Sequence, residues 1–333
     1  MGWFRHVEDR RMNRCIGIVA VSMVLAVFCI EDDNYIYSKP VKAFFPSNEK
    51  LYANNNSPQV PEIVKEYYSN GNIKSETSII GGMIQGKKKM YYENGTLQKE
   101  EEYRDNKRDG LSREFYEDSV LKNYETYKDD RLNGDCYMNY PNGQKLMAGQ
   151  CTDDKKSGKW TLFHNSGNKY MEGNYVNNLM EGTWRSYSPE GLLDSEGEYR
   201  NGSQAGIWIY YDKYRKIIKK LTMKNGMIDG ACWFYNQGRL AGEGIMTGQS
   251  HDPVKNGSWK AYFKNGRLKY EGVFVMGVRN GQFKEYYSIG TIKAAGEYVN
   301  DKRTGNWIFF VKDGKTVDND KSGLYVMGKL TKK

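Results

Sequence analysis

The 333-residue chain is poor in the side chains on which catalysis and metal binding usually rest. It has three histidines, His6, His164 and His251, and no two of them sit at metal-ligand spacing. The five cysteines are Cys15, Cys29, Cys136, Cys151 and Cys232; the first two belong to an apolar segment, and the remaining three do not form a disulfide framework. Only seven prolines occur and aliphatic residues are scarce, which argues against a disordered chain and against a compact Leu/Ile core. Blocks of like charge are also missing. The net charge of +9 is spread over Lys and Arg interspersed with Asp and Glu, so no nucleic-acid arm stands out and no nucleic-acid partner is expected. A diffuse basic surface of this kind keeps an extended protein solvated and attracts anionic lipid or an acidic partner. "GEGIMTG" (242–248) has neither Walker spacing nor a Lys-Ser/Thr pair, so it does not read as a phosphate loop. These absences predict a protein that is not an enzyme and carries no cofactor or metal.

Long hydrophobic runs are absent with one exception, "CIGIVAVSMVLAVFCI" at 15–30, which follows "RRMNR" and precedes "EDD". It is short for a membrane span of about 20 residues and long for a signal core of about 7 to 15. The arginines keep residues 1–14 in the cytoplasm and export everything after Glu31. The expectation is an apolar helix acting as an uncleaved signal anchor, with the rest on the periplasmic or cell-surface side. Secretion after cleavage behind Ala26 or Cys29 is the alternative. Cys29 occupies a lipoprotein acceptor position, but Phe28 before it is too bulky for a good lipobox. Residues 31–61 read as a linker leading into a first edge strand, and 329–333 as a basic tail.

What the chain has in plenty is glycine (36), tyrosine (27) and tryptophan (7). They are periodic. From Gly86, glycines recur every 24 residues at Gly110, Gly134, Gly158, Gly182, Gly206 and Gly230, and resume at Gly257, Gly281 and Gly305. Each unit reads G-x-W-x-x-Y-x-x-x-G-x-L-x-x-x-G-x-Y, and eleven units cover 62–328. The unit from Gly230 is irregular, 27 residues long with an insertion around "TGQSHDPVKN". Twelve Asn-Gly or Asp-Gly dipeptides punctuate the array, at mid-unit (Asn94-Gly95, Asn265-Gly266) or at unit ends (Asp109-Gly110, Asn280-Gly281). Such dipeptides favour tight hairpin turns. The fold expected is all-β: an elongated single-layer antiparallel meander of β-hairpins, on the order of 100 Å long at about 4.8 Å per strand.

A two-residue mid-unit turn would place Trp259 opposite Gly272, Phe263 opposite Leu268 and Gly257 opposite Phe274, all on one face. That face carries a structural aromatic column, Trp160, Trp184, Trp208, Trp259, Phe283 and Trp307, set over glycines. The other face is charged (Lys260, Arg267, Lys269, Glu271) and bears a second column: Tyr91, Phe115, Phe163, Tyr187, Tyr211, Tyr235, Tyr262, Tyr286 and Phe310. This second column either stiffens the sheet by cross-strand packing or binds a partner. Because a single layer cannot bury an aromatic face alone, the ribbon curls or pairs with a second copy, which admits a homodimer. Cys136 and Cys151 fall on one face as diagonal neighbours, either as small apolar residues or as a disulfide near the limit of allowed geometry. His164 stands in a column of Tyr and Phe and reads as a packing residue.

"YEGVFVMGVRNGQF" (270–283) resembles the MORN repeat, and "SEGEYRNGSQAGIW" (195–208) and "AAGEYVNDKRTGNW" (294–307) are weaker copies. The Trp two residues after the closing glycine is similar to bacterial MORN-like proteins of the YwqK antitoxin type. The resemblance implies an elongated β-meander and, for function, membrane association, protein-binding scaffolding or sequestration of a cognate toxin.

Overall fold

The computed structural model describes residues 19–21, 24–26 and 60–332. The chain divides into Met1–Pro58 and Gln59–Lys333. In the first unit, Val19–Val21 and Val24–Ala26 pair antiparallel. The remainder of the expected apolar helix, its cleavage sites and residues 31–59 of the linker lie outside the described residues. Among the described residues no helix is long and apolar enough to cross a membrane, which says nothing of spanning by strands.

The second unit is a sheet of 23 antiparallel strands running from Glu62–Tyr67 to Lys329–Lys332. Each strand is bonded to the strands before and after it in sequence. Among the described residues no pairing joins the first strand to the last, so the sheet is open. The eleven expected hairpins are all present, followed by one closing strand.

The turns differ from the expected ones in a way that matters for the faces. At mid-unit, Gly266 N donates to Phe263 O and Phe263 N to Arg267 O, and only Gly266 has a positive φ (+83°). This is a three-residue turn with glycine in the left-handed position, and it leaves an extra residue on the returning strand. Trp259↔Gly272 and Gly257↔Phe274 pair as expected, but Leu268 faces Tyr262 rather than Phe263, and Lys269 becomes the bulged residue. The two-residue turns with two positive φ angles instead join the units, as at Asp105-Asn106, Asp129-Asp130 and Asn300-Asp301. Unit-end glycines such as Gly110 (φ +132°) and Gly281 (φ +113°) are not turns but in-strand bulges.

The aromatic column is where the core sits. Trp184 and Trp307 are 0% and 1% exposed. Each ring lies on a glycine, though on the strand before it rather than on its hairpin partner: Trp160 on Gly149, Trp184 on Gly173, Trp208 on Gly197, Trp259 on Gly244, Phe283 on Gly272, Trp307 on Gly296. The indole N–H of Trp160, Trp184, Trp208 and Trp307 donates back to the same preceding strand, at 2.9–3.1 Å. Tyrosines interleave edge-on, Tyr175 at 6.0 Å from Trp160 and 5.2 Å from Trp184, Tyr298 at 5.2 Å from Phe283 and 5.0 Å from Trp307. Cations close the ladder from outside: Arg108 over Tyr127 (4.0 Å), Arg279 over Tyr298 (4.0 Å), Arg303 over Trp307 (4.9 Å). Each such contact contributes about 0.5–2 kcal/mol.

Two departures in this row are informative. Where the glycine slot holds Leu221, the next aromatic slot holds Cys232, and both are buried. A large residue has replaced the glycine and a small one the indole, so the volume is conserved. In the first units the row is polar: Lys88, Glu101, Ser112 and Glu125 pair in succession up to Cys136. Glu101 is only 5% exposed; Lys99 sits 2.7 Å from it and Tyr103 donates to it at 3.2 Å. Burial, with the adjacent carboxylate, pushes Tyr103 up to about 12. The aromatic row therefore begins with Trp160 on Gly149, where the column read from the sequence also begins, and the first units carry polar residues in its slot.

Adding a methyl at Gly173 would overlap the Trp184 indole. Gly173→Ala is expected to lower unfolding free energy by about 2–3 kcal/mol, and Gly173→Leu by more. The double variant Gly173→Leu/Trp184→Cys, which copies the Leu221–Cys232 pair, should recover part of that loss. Urea titrations of the four proteins of the cycle measure it; additive losses would refute the compensation.

Candidate binding surface

Tyr91, Phe115, Phe163, Tyr187, Tyr211, Tyr262 and Tyr286 close the first strand of their units on the face opposite the indoles; Tyr235 is the last but one of Met227–Asn236, and Phe310 follows the strand Lys302–Phe309 in the same slot. Five of the hydroxyls donate to a glutamate of the preceding hairpin: Tyr91 to Glu76 (2.8 Å), Tyr187 to Glu172 (2.6 Å), Tyr211 to Glu196 (2.7 Å), Tyr262 to Glu243 (2.6 Å), Tyr286 to Glu271 (2.8 Å). Burial, reinforced by the carboxylate, pushes these phenols up to about 12. The Tyr187 bond, helped by Lys169 and Lys159, holds Glu172 down at about 2. Phe163 and Phe310 lack the hydroxyl, and the matching positions 15 residues earlier are Ala148 and Ala295, which lack the carboxylate. The column thus laces each unit to the one before it. Phe115 and Tyr235 stand outside this rule. Glu100, matched to Phe115, is taken by Lys87 (2.5 Å) and Arg113 (3.1 Å), and the position matched to Tyr235 is Lys220.

A neighbouring slot ties the units forward. Tyr68, Tyr92, Tyr116, Tyr140 and Tyr287 donate to the backbone carbonyl 23 residues on, at 2.6–3.0 Å. His164 makes the same contact through Nε2 to Tyr187 O at 2.9 Å, so it is a bracing residue of the array. The slot then holds Ser188, Asp212, Asn236 and Phe263, none of which supplies a long hydroxyl. Four consecutive turns are left without this brace.

The irregular unit falls inside that run. Its strands, Met227–Asn236 and Arg239–Gln249, are joined by a two-residue turn at Gln237-Gly238, shorter than its neighbours. The inserted residues lengthen Arg239–Gln249 and Asp252–Tyr262 to 11 residues each. Between the longer turns on either side opens a groove of 730 Å³ lined by Tyr214, Lys216, Ile218, Tyr235, Arg239, Leu240, Tyr262, Phe263 and Lys264, with Asp212 as the one acid. Tyr214 is 70% exposed there. The sequence singled out this unit by its length, but it gave no sign of the missing braces, since one missing hydroxyl reads as ordinary variation.

Cys136 and Cys151 are buried free thiols. Their diagonal placement follows from Cys136↔Gly149 and Cys151↔Gly134. The neighbouring thiol and burial push Cys136 above the usual thiol range. Among the described residues no three His, Cys, Asp or Glu side chains converge to hold a metal ion.

The MORN repeat variant model matches residues 63–79, 84–105, 108–129, 156–177, 180–201 and 255–276. Those six stretches of the array are MORN repeats. The unmatched stretches of the MORN array include the Cys136–Cys151 hairpin and the irregular unit, which keep the hairpin fold with altered core residues. A search of curated proteins found no match. Two solved structures, "Crystal Structure of TcdB2-TccC3-Cdc42" and "Crystal Structure of TcdB2-TccC3-TEV", align over 92% and 94% of the chain at 10% identity and a TM-score of 0.18. The chain spans only 20% of each, and a likeness at that score carries no argument.

If the second column laces MORN units together, its loss shows in stability. Tyr187→Phe and Glu172→Gln are each expected to cost about 1 kcal/mol, with coupling between them in the double variant. The Glu172 pKa is depressed below its unfolded value of about 4.3, so its contribution is full above that value and fades as pH falls toward 2. Urea midpoints at pH 7 and pH 2.5 test this: the gap between native protein and Glu172→Gln should shrink at the lower pH.

Proposed function

We propose that this protein is a non-enzymatic scaffold, tethered to the membrane through residues 15–30, that holds a partner protein on the exported side. MORN repeats commonly bind proteins or membranes, and their family is generally non-enzymatic. The observation that carries the reading is the contrast along the array. In the regular units indoles are spent on glycines, phenols on glutamates and bracing hydroxyls on carbonyls. Over 212–264 the forward hydroxyl brace lapses, although Trp259 still lies on Gly244 and Tyr262 still bonds Glu243, and aromatic, aliphatic and cationic side chains line an open groove. An array whose polar and aromatic groups are satisfied internally offers a partner little, whereas an open mixed groove offers both area and hydrogen bonds. No feature of the described surface selects a toxin as that partner.

Two measurements test the reading. The full chain should stay in the membrane pellet through a high-salt wash and leave it when residues 15–30 are deleted; a chain that washes free would refute the tether. Photo-crosslinking from position 214 in the native host should trap a discrete partner, lost with Arg239→Glu, while crosslinking from position 183 in the regular array should not. Equal trapping at both positions would place binding elsewhere.

A further inference from the structure

A second opening, a cleft of 490 Å³, lies beside the insertion. Its floor is aromatic: Tyr270 and Phe283 stack at 5.3 Å, and Phe274 stands edge-on to Phe283 at 5.9 Å. Its rim is cationic, with Lys255, Lys269, Arg279 and Lys293 against one lining carboxylate, Glu285. Arg279 is paired with Asp301 at 2.7 Å and Lys293 with Glu285 at 3.3 Å.

Lys255 has no such partner among the described residues. Its ammonium stands 4.4 Å from the Trp259 ring, 4.7 Å from Phe274 and 5.5 Å from Tyr270, and donates to the Tyr270 hydroxyl at 3.0 Å. The reason lies 22 residues on. In that slot Arg108 meets Asp130 and Arg279 meets Asp301, each aspartate being the second residue of a unit-joining turn. The turn following Lys255 is Met276-Gly277, and Gly277 N bonds Lys255 O at 2.8 Å just as Asp130 N bonds Arg108 O and Asp301 N bonds Arg279 O. The backbone contact is kept and the carboxylate is gone. The mid-unit bulge adds Lys269, exposed and also without a carboxylate, to the same cleft.

We propose that this cleft binds a short acidic segment of a partner protein. Resting on the protein-binding reading above, this names the chemistry of one segment: an aromatic side chain lies on the half-buried Tyr270, which itself stacks on the buried Phe283, and a flanking carboxylate takes the place of the absent aspartate on Lys255. A half-buried ammonium lacking its array carboxylate favours an incoming anion through charge-assisted bonds, and the ring floor selects a peptide over a bare anion.

The test is calorimetric titration of the full chain with the capped peptide Glu-Glu-Phe-Glu-Glu, beside versions with Gly for Phe and Lys for Glu. Lys255→Gln should weaken binding about tenfold, the loss of one charge-assisted bond. Gly277→Asp, which restores the array's own carboxylate at a turn position that aspartate occupies elsewhere, should do the same while leaving the fold intact. Lys284→Gln, on the opposite face, should change nothing. The proposal is overturned if the Phe peptide does not bind, if Gly277→Asp binds it as the native chain does, if Lys284→Gln weakens it as much as Lys255→Gln, or if the Gly peptide binds equally well. Should peptide binding fail while crosslinking from position 214 still traps its partner, only this cleft assignment falls and the scaffold reading stands.

Discussion

A sheet one layer thick has no second layer on which to bury its apolar face, and every other feature of this array answers that constraint. The answer is to lay each indole on the bare backbone of the strand before it, which only glycine permits. Trp184 reaches 0% exposure with no covering helix or second sheet among the described residues. Because the contact is with the preceding strand, the core is not held within hairpins but between them. A hairpin taken alone would have a ring with nothing under it, so stability is a property of neighbours.

The outer face repeats this logic with polar chemistry. Tyrosines reach back to glutamates and, one slot on, tyrosines or His164 reach forward to carbonyls. Both contacts skip from one unit to the next, as the indoles do. The matched losses at Phe163 with Ala148, at Phe310 with Ala295, and the exchange at Leu221 with Cys232 are paired changes between neighbouring units, with Phe115 and Tyr235 as the exceptions. A substitution in such an array is judged by one neighbour, not by the whole chain.

This explains what was legible in the sequence. The period, the hairpin, the indole column and most of the register depend on residue type at fixed spacing, which a single sequence displays directly. Three things were hidden. A type I turn with a left-handed glycine and a two-residue turn share the same Asn-Gly signature, yet only the former adds a bulge, and that one residue moves Lys269 into the cleft. Trp259 pairs with Gly244 on one side and Gly272 on the other, and no spacing says which of the two its ring covers. The polar row Lys88, Glu101, Ser112 and Glu125 hid behind intact glycine spacing, because the glycines mark bulges rather than the character of the face.

The same constraint argues where function can sit. A side chain that holds two units together cannot be given to a partner without loosening the array, so the regular units are poor places for recognition however aromatic they look. Freedom arises only where a contact has lapsed without being replaced. The hydroxyl brace lapses from Ser188 to Phe263, and the carboxylate partner of the cation slot lapses at Gly277. The two meet at the insertion, through Phe263 and Lys255, where lengthened strands supply pairing that the missing brace does not. Extra backbone hydrogen bonds thus release side chains from structural duty, and the open surface appears at the place in the array where the backbone carries more of the load.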